Sequence, residues 1–300
     1  MGLRFRPATE LWHVGITRTP ITSFVHAPTA PQVTWLPQPK PFCFVADPFG
    51  HVDDAGNLTI LVEALDYRIK RGEIHYYRYD KKLTLCDTGT ALRAPYHLSY
   101  PFLLQHDGYI YMLPEAHRSG RLTLYRTVDF PSRWEVVASL LDLPVIDASV
   151  IQCQDRWWMF FALAGEHGRA MNELHIAYAD SLFGPWQLHP KNPVRRGLDS
   201  SRMGGTPFIH EASLYLPMQD CRDSYGGALR LLRVDSLTSN DFAAEVVRDI
   251  SPNVFASGYE GCHTLSACFD FTLFDVKNTQ HSPQRHLIDW QRRIKRVLPF

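Results

Sequence analysis

Ala46-Asp47-Pro48-Phe49 is one form of a phrase that this chain repeats about every fifty residues. It returns as Ser99-Tyr100-Pro101-Phe102, Ile146-Asp147-Ala148-Ser149, Gly205-Thr206-Pro207-Phe208 and Gly261-Cys262-His263-Thr264. After four of the five copies an apolar, aromatic-rich run follows within about ten residues, as in Leu58-Thr59-Ile60-Leu61-Val62 and Trp157-Trp158-Met159-Phe160-Phe161. Further runs such as Glu73-Ile74-His75-Tyr76-Tyr77 and Leu122-Thr123-Leu124-Tyr125-Arg126 have the β-branched and aromatic content of strands. A period of this length, made of short strands and turns, predicts an all-β fold: a five-bladed β-propeller with a short C-terminal amphipathic helix. The inner strands of all blades converge on one axis, so any site is expected there.

The chain of 300 residues is read as one unit, because a blade buries its faces only against neighbouring blades. Residues 1–280 form the predicted propeller, with 1–41 an N-terminal segment that supplies a ring-closing strand, and 281–300 a basic helix or tail. The blades are placed at about 42–92, 94–141, 143–187, 203–238 and 245–277, separated by turn signals such as Asp54-Ala55-Gly56-Asn57 and His106-Asp107-Gly108. Lys plus Arg equals Asp plus Glu at 31 each, so no overall field selects a nucleic acid, and none is expected as partner. The six cysteines show no paired C-x-x-C spacing, which suits reduced thiols better than a disulfide frame or zinc site. With no secretory pattern at Met1-Gly2-Leu3-Arg4-Phe5-Arg6 and no long apolar run, a cytoplasmic location is expected, peripheral to the inner face of a membrane. That second clause rests on the tail. Leu287, Trp290, Ile294 and Leu298 recur at helical spacing among Arg285, Arg292, Arg293, Lys295 and Arg296. The stripe either packs on the propeller side or contacts an anionic bilayer.

Asp47 and Asp147 hold the same repeat position, and His263 holds about that position in the last copy. Carboxylates facing one another across an axis suit acid–base chemistry on a sugar or recognition of its hydroxyls; each could also cap a turn. A second set, Glu63, Glu115 and Asp220, ends the second strands, where a side chain either meets a ligand or ties neighbouring blades together. Tyr67, Arg68, His97, Tyr100, His117, Arg118, Arg202, Arg222 and Tyr225 gather in nearby loops. Aromatic faces stack on sugar rings and Arg pairs with phosphate or carboxylate; Arg202, just before Gly204-Gly205, is the leading anion-binding candidate. The chain carries no G-x-S-x-G elbow, Walker sequence or His-Glu-x-x-His.

The Asp47, Asp147 and His263 segments resemble the inner-strand motifs of glycoside hydrolase family 43. That resemblance implies a five-bladed propeller with Asp47 as general base and Asp147 as the residue that tunes the acid. It also implies a structural cation or water near His263; no metal ligand set is assigned. The family's acid is a Glu in a Glu-small-Pro motif, and here the segment reads Gly205-Thr206-Pro207. A second resemblance covers almost the whole chain. It is carried by Trp12-x-Val14-Gly15-Ile16, Val45-Ala46-Asp47-Pro48-Phe49, Gly72-Glu73-Ile74, Ser99-Tyr100-Pro101-Phe102 and Pro114-Glu115. Phe130-Pro131-x-x-Trp134, Gly184-Pro185-Trp186-x-x-His189-Pro190 and Gln219-Asp220-x-x-x-x-Tyr225-Gly226 extend it. This order resembles the N-terminal propeller domain of glucosamine inositolphosphorylceramide transferases and bacterial relatives.

The expectation drawn from both is a carbohydrate-active protein, first of all a glycosyltransferase acting in glycan or glycolipid assembly. Asp47, Asp147 and Glu115 are its candidate catalytic residues. Tyr100, Arg202, Asp220, Arg222, Tyr225 and His263 are candidates for substrate binding. The partners implied are a nucleotide- or phosphate-activated sugar donor and a glycan or lipid-linked acceptor. Two alternatives stand beside it: an inverting hydrolase with a relocated acid such as Glu115, and a sugar-binding propeller without catalysis.

Overall fold

The computed structural model describes residues 8–26, 31–166, 168–282 and 284–297, with side chains as far as 291. The strands are β1 (Ala8–Thr17) and β2 (Val33–Trp35); β3 (Cys43–Val52), β4 (Leu58–Asp66), β5 (Arg71–Tyr79) and β6 (Leu85–Leu92); and β7 (Ser99–His106), β8 (Tyr109–Glu115), β9 (Leu122–Asp129) and β10 (Arg133–Leu141). They continue with β11 (Val145–Cys153), β12 (Arg156–Leu163), β13 (Glu173–Ala179), β14 (Gln187–Leu188) and β15 (Arg195–Arg196). The fourth group is β16 (Arg202–Met203), β17 (Phe208–His210), β18 (Ser213–Asp220), β19 (Ala228–Leu237) and β20 (Phe242–Ile250). The last strands are β21 (Leu265–Cys268) and β22 (Phe271–His281). A single helical turn, α1 (Arg169–Asn172), precedes β13, and α2 (Gln284–Val297) follows β22.

Five antiparallel sheets result: β3–β6, β7–β10, β11–β15, β16–β20, and a mixed-origin blade in the order β2-β1-β22-β21. In that fifth blade β1 runs antiparallel to β22 from Ala8↔His281 to Thr17↔Thr272. The two ends of the sequence thus share one sheet, which removes the exposed edges of an open ring. Two boundaries differ from the reading of the sequence: β15 carries the third blade to Arg196 rather than 187, and the fourth blade is longer as well. β20 is the outer strand of the fourth blade, so that blade ends at Ile250 rather than 238, and no strand of the fifth blade starts at 245. The inner edge of the fourth blade is split between β16 and β17, which displaced the count.

Apolar residues between the blades hold the ring together. Leu61, Ile74, Leu98 and Met112 fill the junction of the first and second blades, and Phe255, Phe274, Leu229 and Cys262 the junction of the fourth and fifth. Each large side chain fully buried this way contributes about 1.5–3 kcal/mol.

The repeated phrase has a definite conformation. Asp47, Tyr100 and Asp147 have φ of 52°, 44° and 48°. At each, strand pairing slips: between Ala46 and Phe49, between Ser99 and Phe102, and between Ile146 and Ser149. The motif is therefore a β-bulge in left-handed backbone, a device that re-aims one side chain out of the pleat. Asp tolerates that conformation better than most residues.

Helix α2 is amphipathic, but it does not lay its apolar stripe on the propeller. Ile288 is buried and the Arg285 guanidinium lies over the Tyr67 ring at 4.1 Å, while Leu287 and Trp290 remain 60% and 62% exposed. The other two residues of that stripe, Ile294 and Leu298, lie outside the described side chains.

Candidate functional site

The three bulges drive a circuit of hydrogen bonds around the axis. The Asp47 amide of the first blade donates to Asp275 Oδ2 of the fifth at 2.9 Å. Asp47 Oδ2 in turn accepts the Tyr100 amide of the second blade at 3.2 Å. The Tyr100 hydroxyl accepts the Gly205 amide of the fourth blade at 2.7 Å and lies 2.9 Å from Ser149 Oγ of the third. Gly205 closes the circuit through a parallel bridge to Leu265 of the fifth. Every blade thus contributes a polar group at the axis, and each is paired, as buried polar groups must be.

This placement corrects the role expected of Tyr100. Its side chain is 0% exposed and its hydroxyl is taken by Gly205 and Ser149, so it holds blades together and has no face for a ligand. Tyr100→Phe leaves the Gly205 amide and Ser149 without that partner. A loss of about 1–3 kcal/mol is expected in urea unfolding.

The other candidates converge around Asp47. Its Oδ1 accepts the Thr264 hydroxyl at 3.0 Å and stands 3.5 Å from His263 Nε2. His263 Nδ1 lies 2.7 Å from Asp275 Oδ1, and the ring stacks on Trp12 with centroids 3.8 Å apart. Burial opposes charge on His263, yet Asp275 and Asp47 outweigh it and raise its pKa. Asp47 itself is pushed up to about 7, first by burial and then by Asp147 and Asp275 against the pull of His263.

Asp147 Oδ2 accepts Arg202 Nε at 2.7 Å and Gln219 Nε2 at 3.0 Å. Burial raises its pKa while Arg202 opposes the rise. The Arg202 guanidinium also lies over the Tyr225 ring at 5.2 Å. Arg202 is thus already neutralised by Asp147, and it is no free cradle for an anion.

Two glutamates complete the cluster with opposite characters. Glu115 accepts the Ser99 hydroxyl at 2.9 Å and stands 2.6 Å from His117 Nδ1. Burial pushes its pKa up, but the bonds and charge of His117 together with His97 win, and the net shift is downward. Glu63 is held well above the usual carboxylate range by burial and by Asp47, Glu115 and Asp147. His97 beside it accepts the Gly72 amide on Nδ1 at 2.8 Å, so the Nε2 that stands 3.4 Å from Glu63 carries the proton. Of the two, Glu63 is thus the carboxyl shifted toward its protonated form, and Glu115 the one shifted toward its ionised form.

Asp220 and Arg222 pair with each other, Nη2 to Oδ2 at 2.7 Å, and the Arg222 side chain is 54% exposed. They stand at the edge of the cluster. Asp275, Thr264 and Gln219 were not singled out from the sequence. The one signal for Asp275 was a carboxylate inside the apolar run Phe274-Asp275-Val276.

Asp47, His263 and Asp275 place ligand atoms within 4.8 Å of one another, the arrangement a cation would need. The donor set does not suit one. Asp275 Oδ1 accepts the amides of His263 and Thr264 besides the His263 ring, and Oδ2 accepts the Asp47 amide. The His263 ring already fills the space between the two carboxyl groups, 2.7 Å from Asp275 and 3.5 Å from Asp47.

A family model described as the N-terminal part of glucosamine inositolphosphorylceramide transferase 1 matches residues 21–257. The chain is a member of that family. Relatives named glucosamine inositolphosphorylceramide transferase 1 are 39% identical over 206 residues in Oryza sativa subsp. indica and 34% in Arabidopsis thaliana. The match takes in 67% of this chain but only 28% and 27% of those proteins. Solved structures share the propeller of this family member at much lower identity. A family 117 glycoside hydrolase from Zobellia galactanivorans superposes with a TM-score of 0.54 at 13% identity, covering 81% of this chain and 86% of its own. The GH62 α-L-arabinofuranosidase of Coprinopsis cinerea gives 0.55 at 9% identity, covering 78% and 90%.

Proposed function

We propose that this member of the glucosamine inositolphosphorylceramide transferase N-terminal family acts in glycosyl transfer during glycolipid or glycan assembly, with the axial cluster as its sugar site. The supporting observation is Asp47: a buried carboxylate on the axis, held by Tyr100 and Thr264, with a pKa of about 7. A base so poised is efficient near neutral pH. Asp47 removes the proton of an acceptor hydroxyl, the hydroxyl oxygen bonds to the anomeric carbon, and the bond to the donor's phosphate breaks with its electrons. Glu115, with its pKa lowered, and Glu63, with its pKa raised, favour an acceptor and a donor respectively for neighbouring hydroxyls. Arg202 and His263 are each paired with a carboxylate, so the cluster favours the hydroxyl-bearing acceptor, and the donor's phosphates stay outside it.

A second reading, inverting hydrolysis, is favoured by one observation, the raised pKa of buried Glu63, which suits a carboxyl that gives its proton to a leaving oxygen. An assay with labelled nucleotide sugars and lipid or glycan acceptors, run beside aryl glycosides, separates the readings. Labelled acceptor is the expected product. Release from the aryl glycoside alone, abolished by Glu63→Gln, replaces transfer by hydrolysis. Sugar binding with neither product reduces the protein to a recognition module.

A further inference from the structure

We infer that the flank of the propeller beside α2 is a docking surface for an anionic lipid bilayer. The surface begins at the β4–β5 turn. Tyr67 in that turn is covered by Arg285 of α2, and its hydroxyl donates to the Glu10 carbonyl at 2.8 Å, so turn, helix and β1 are tied at one point. Two residues beyond Tyr67, Ile69 is 57% exposed. Two and five residues beyond Arg285, Leu287 and Trp290 are exposed to a similar degree. In a helix whose Arg285 and Ile288 face the protein, positions 287 and 290 share the opposite face. Three large apolar side chains are therefore exposed around the point where Arg285 ties the helix to the turn.

Charge decides what covers them. A groove of about 420 Å³ opens beside the turn, lined among others by Lys40, Arg68, Arg71 and Arg93, and Lys70 is exposed within the turn itself. Against these five cations stand Asp66, bound to Arg68, and Glu73, bound to Arg93. The sequence of α2 adds Arg292, Arg293, Lys295 and Arg296, with Asp289 its one carboxylate. An apolar face carrying Trp within a cationic field matches the interface of a bilayer rich in anionic headgroups. A soluble partner would need to bury Leu287, Trp290 and Ile69 against an acidic apolar surface, and no binding to either kind of vesicle is the outcome that would favour it.

This inference deepens the proposed function, because Tyr67 at the flank packs in the same apolar cluster as Trp12, whose ring stacks on His263 of the axial cluster, so a docked bilayer would present its headgroups on the side of the propeller that supports the site. Its test needs no sugar and can fail independently. The full chain is sedimented with phosphatidylcholine vesicles, with and without about a quarter phosphatidylserine. Binding is expected to the anionic vesicles, weakened at high salt and reduced about tenfold in Leu287→Asp/Trp290→Asp and in Ile69→Asp. An unchanged melting temperature shows that these exposed substitutions leave the fold intact. Equal binding to neutral vesicles, no binding to either, or anionic binding untouched by both variants overturns the inference. Loss of vesicle binding with ligand-induced stabilisation retained leaves the axial site standing.

Discussion

Gly205→Ala is expected to cost more than about 4 kcal/mol, enough to leave much of the chain unfolded under mild conditions. Gly205 has a φ of +139°, and a Cβ built on it lies 1.8 Å from the Leu265 carbonyl oxygen and 2.5 Å from its carbon. Both are backbone atoms of the neighbouring blade, so no side chain can rotate aside. The residue also donates its amide to Tyr100 and accepts the Ser149 hydroxyl at 2.9 Å. Moving the strand to admit a methyl group breaks the axial circuit as well. Gly108→Ala is the control: φ is +76° with nothing within 4 Å of the added atom, and backbone strain of about 1 kcal/mol is all it should cost. Urea unfolding of the two variants measures the contrast. Equal stability would contradict the geometry of the fourth and fifth blades. The same crowding bears on function. Family 43 hydrolases, by the resemblance noted from sequence, carry their acid at this place, and here the backbone leaves no room for any side chain.

Asp47→Asn is expected to lower kcat/KM for transfer by about 10²- to 10⁴-fold, the range for loss of a general base. In the native protein the rate should rise with pH through about 7 as Asp47 loses its proton, and the variant's residual rate should show no such rise. Stability moves the other way. The folded pKa lies above the ordinary 3.8, so between 3.8 and about 7 the folded chain keeps a proton that the unfolded chain has lost. Asp47 therefore lowers stability progressively as pH rises through that window, with the full cost above it. Asn carries no charge to desolvate and tolerates the left-handed backbone, so at pH 8 the variant should melt no lower than the native protein. A variant that loses activity by unfolding would fail that second measurement.

The repeat made most of this architecture readable. Ala46-Asp47-Pro48-Phe49 and its copies mark the inner strands because the bulge demands a residue tolerant of left-handed backbone, followed by apolar strand. The same bulge explains why Asp47 and Asp147 were legible as residues at the axis, and why Tyr100 at the same position could be taken for a ligand contact. The motif reports the turn of the backbone, and the side chain's destination depends on what the other blades place across the axis. Asp275 and Gln219 were hard to read because Asp275 lies inside an apolar run rather than at a strand end, and Gln219 is an uncharged side chain beside the more conspicuous Asp220. Glu63 and Glu115 occupy equivalent places in the repeat, and their neighbours set them apart: burial and the surrounding carboxylates raise the pKa of Glu63, while His117 and His97 overcome burial and lower that of Glu115. The boundary between the fourth and fifth blades was lost where the inner strand is interrupted. For α2, helical spacing defined an apolar stripe but could not say whether it faced inward; the structure turns Leu287 and Trp290 outward.

The claim at the centre of this account is that the cluster around Asp47 binds a sugar. The measurement that tests it most directly is thermal unfolding of the native chain and of Asp47→Asn across nucleotide sugars, simple glycosides and free sugars. A ligand present at about a hundred times its Kd should stabilise the folded protein by about 2.7 kcal/mol. The account predicts a rise in melting temperature with one sugar-bearing ligand that is lost in Asp47→Asn and kept in Leu287→Asp/Trp290→Asp. Stabilisation that survives Asp47→Asn undiminished, or none with any sugar, would contradict it.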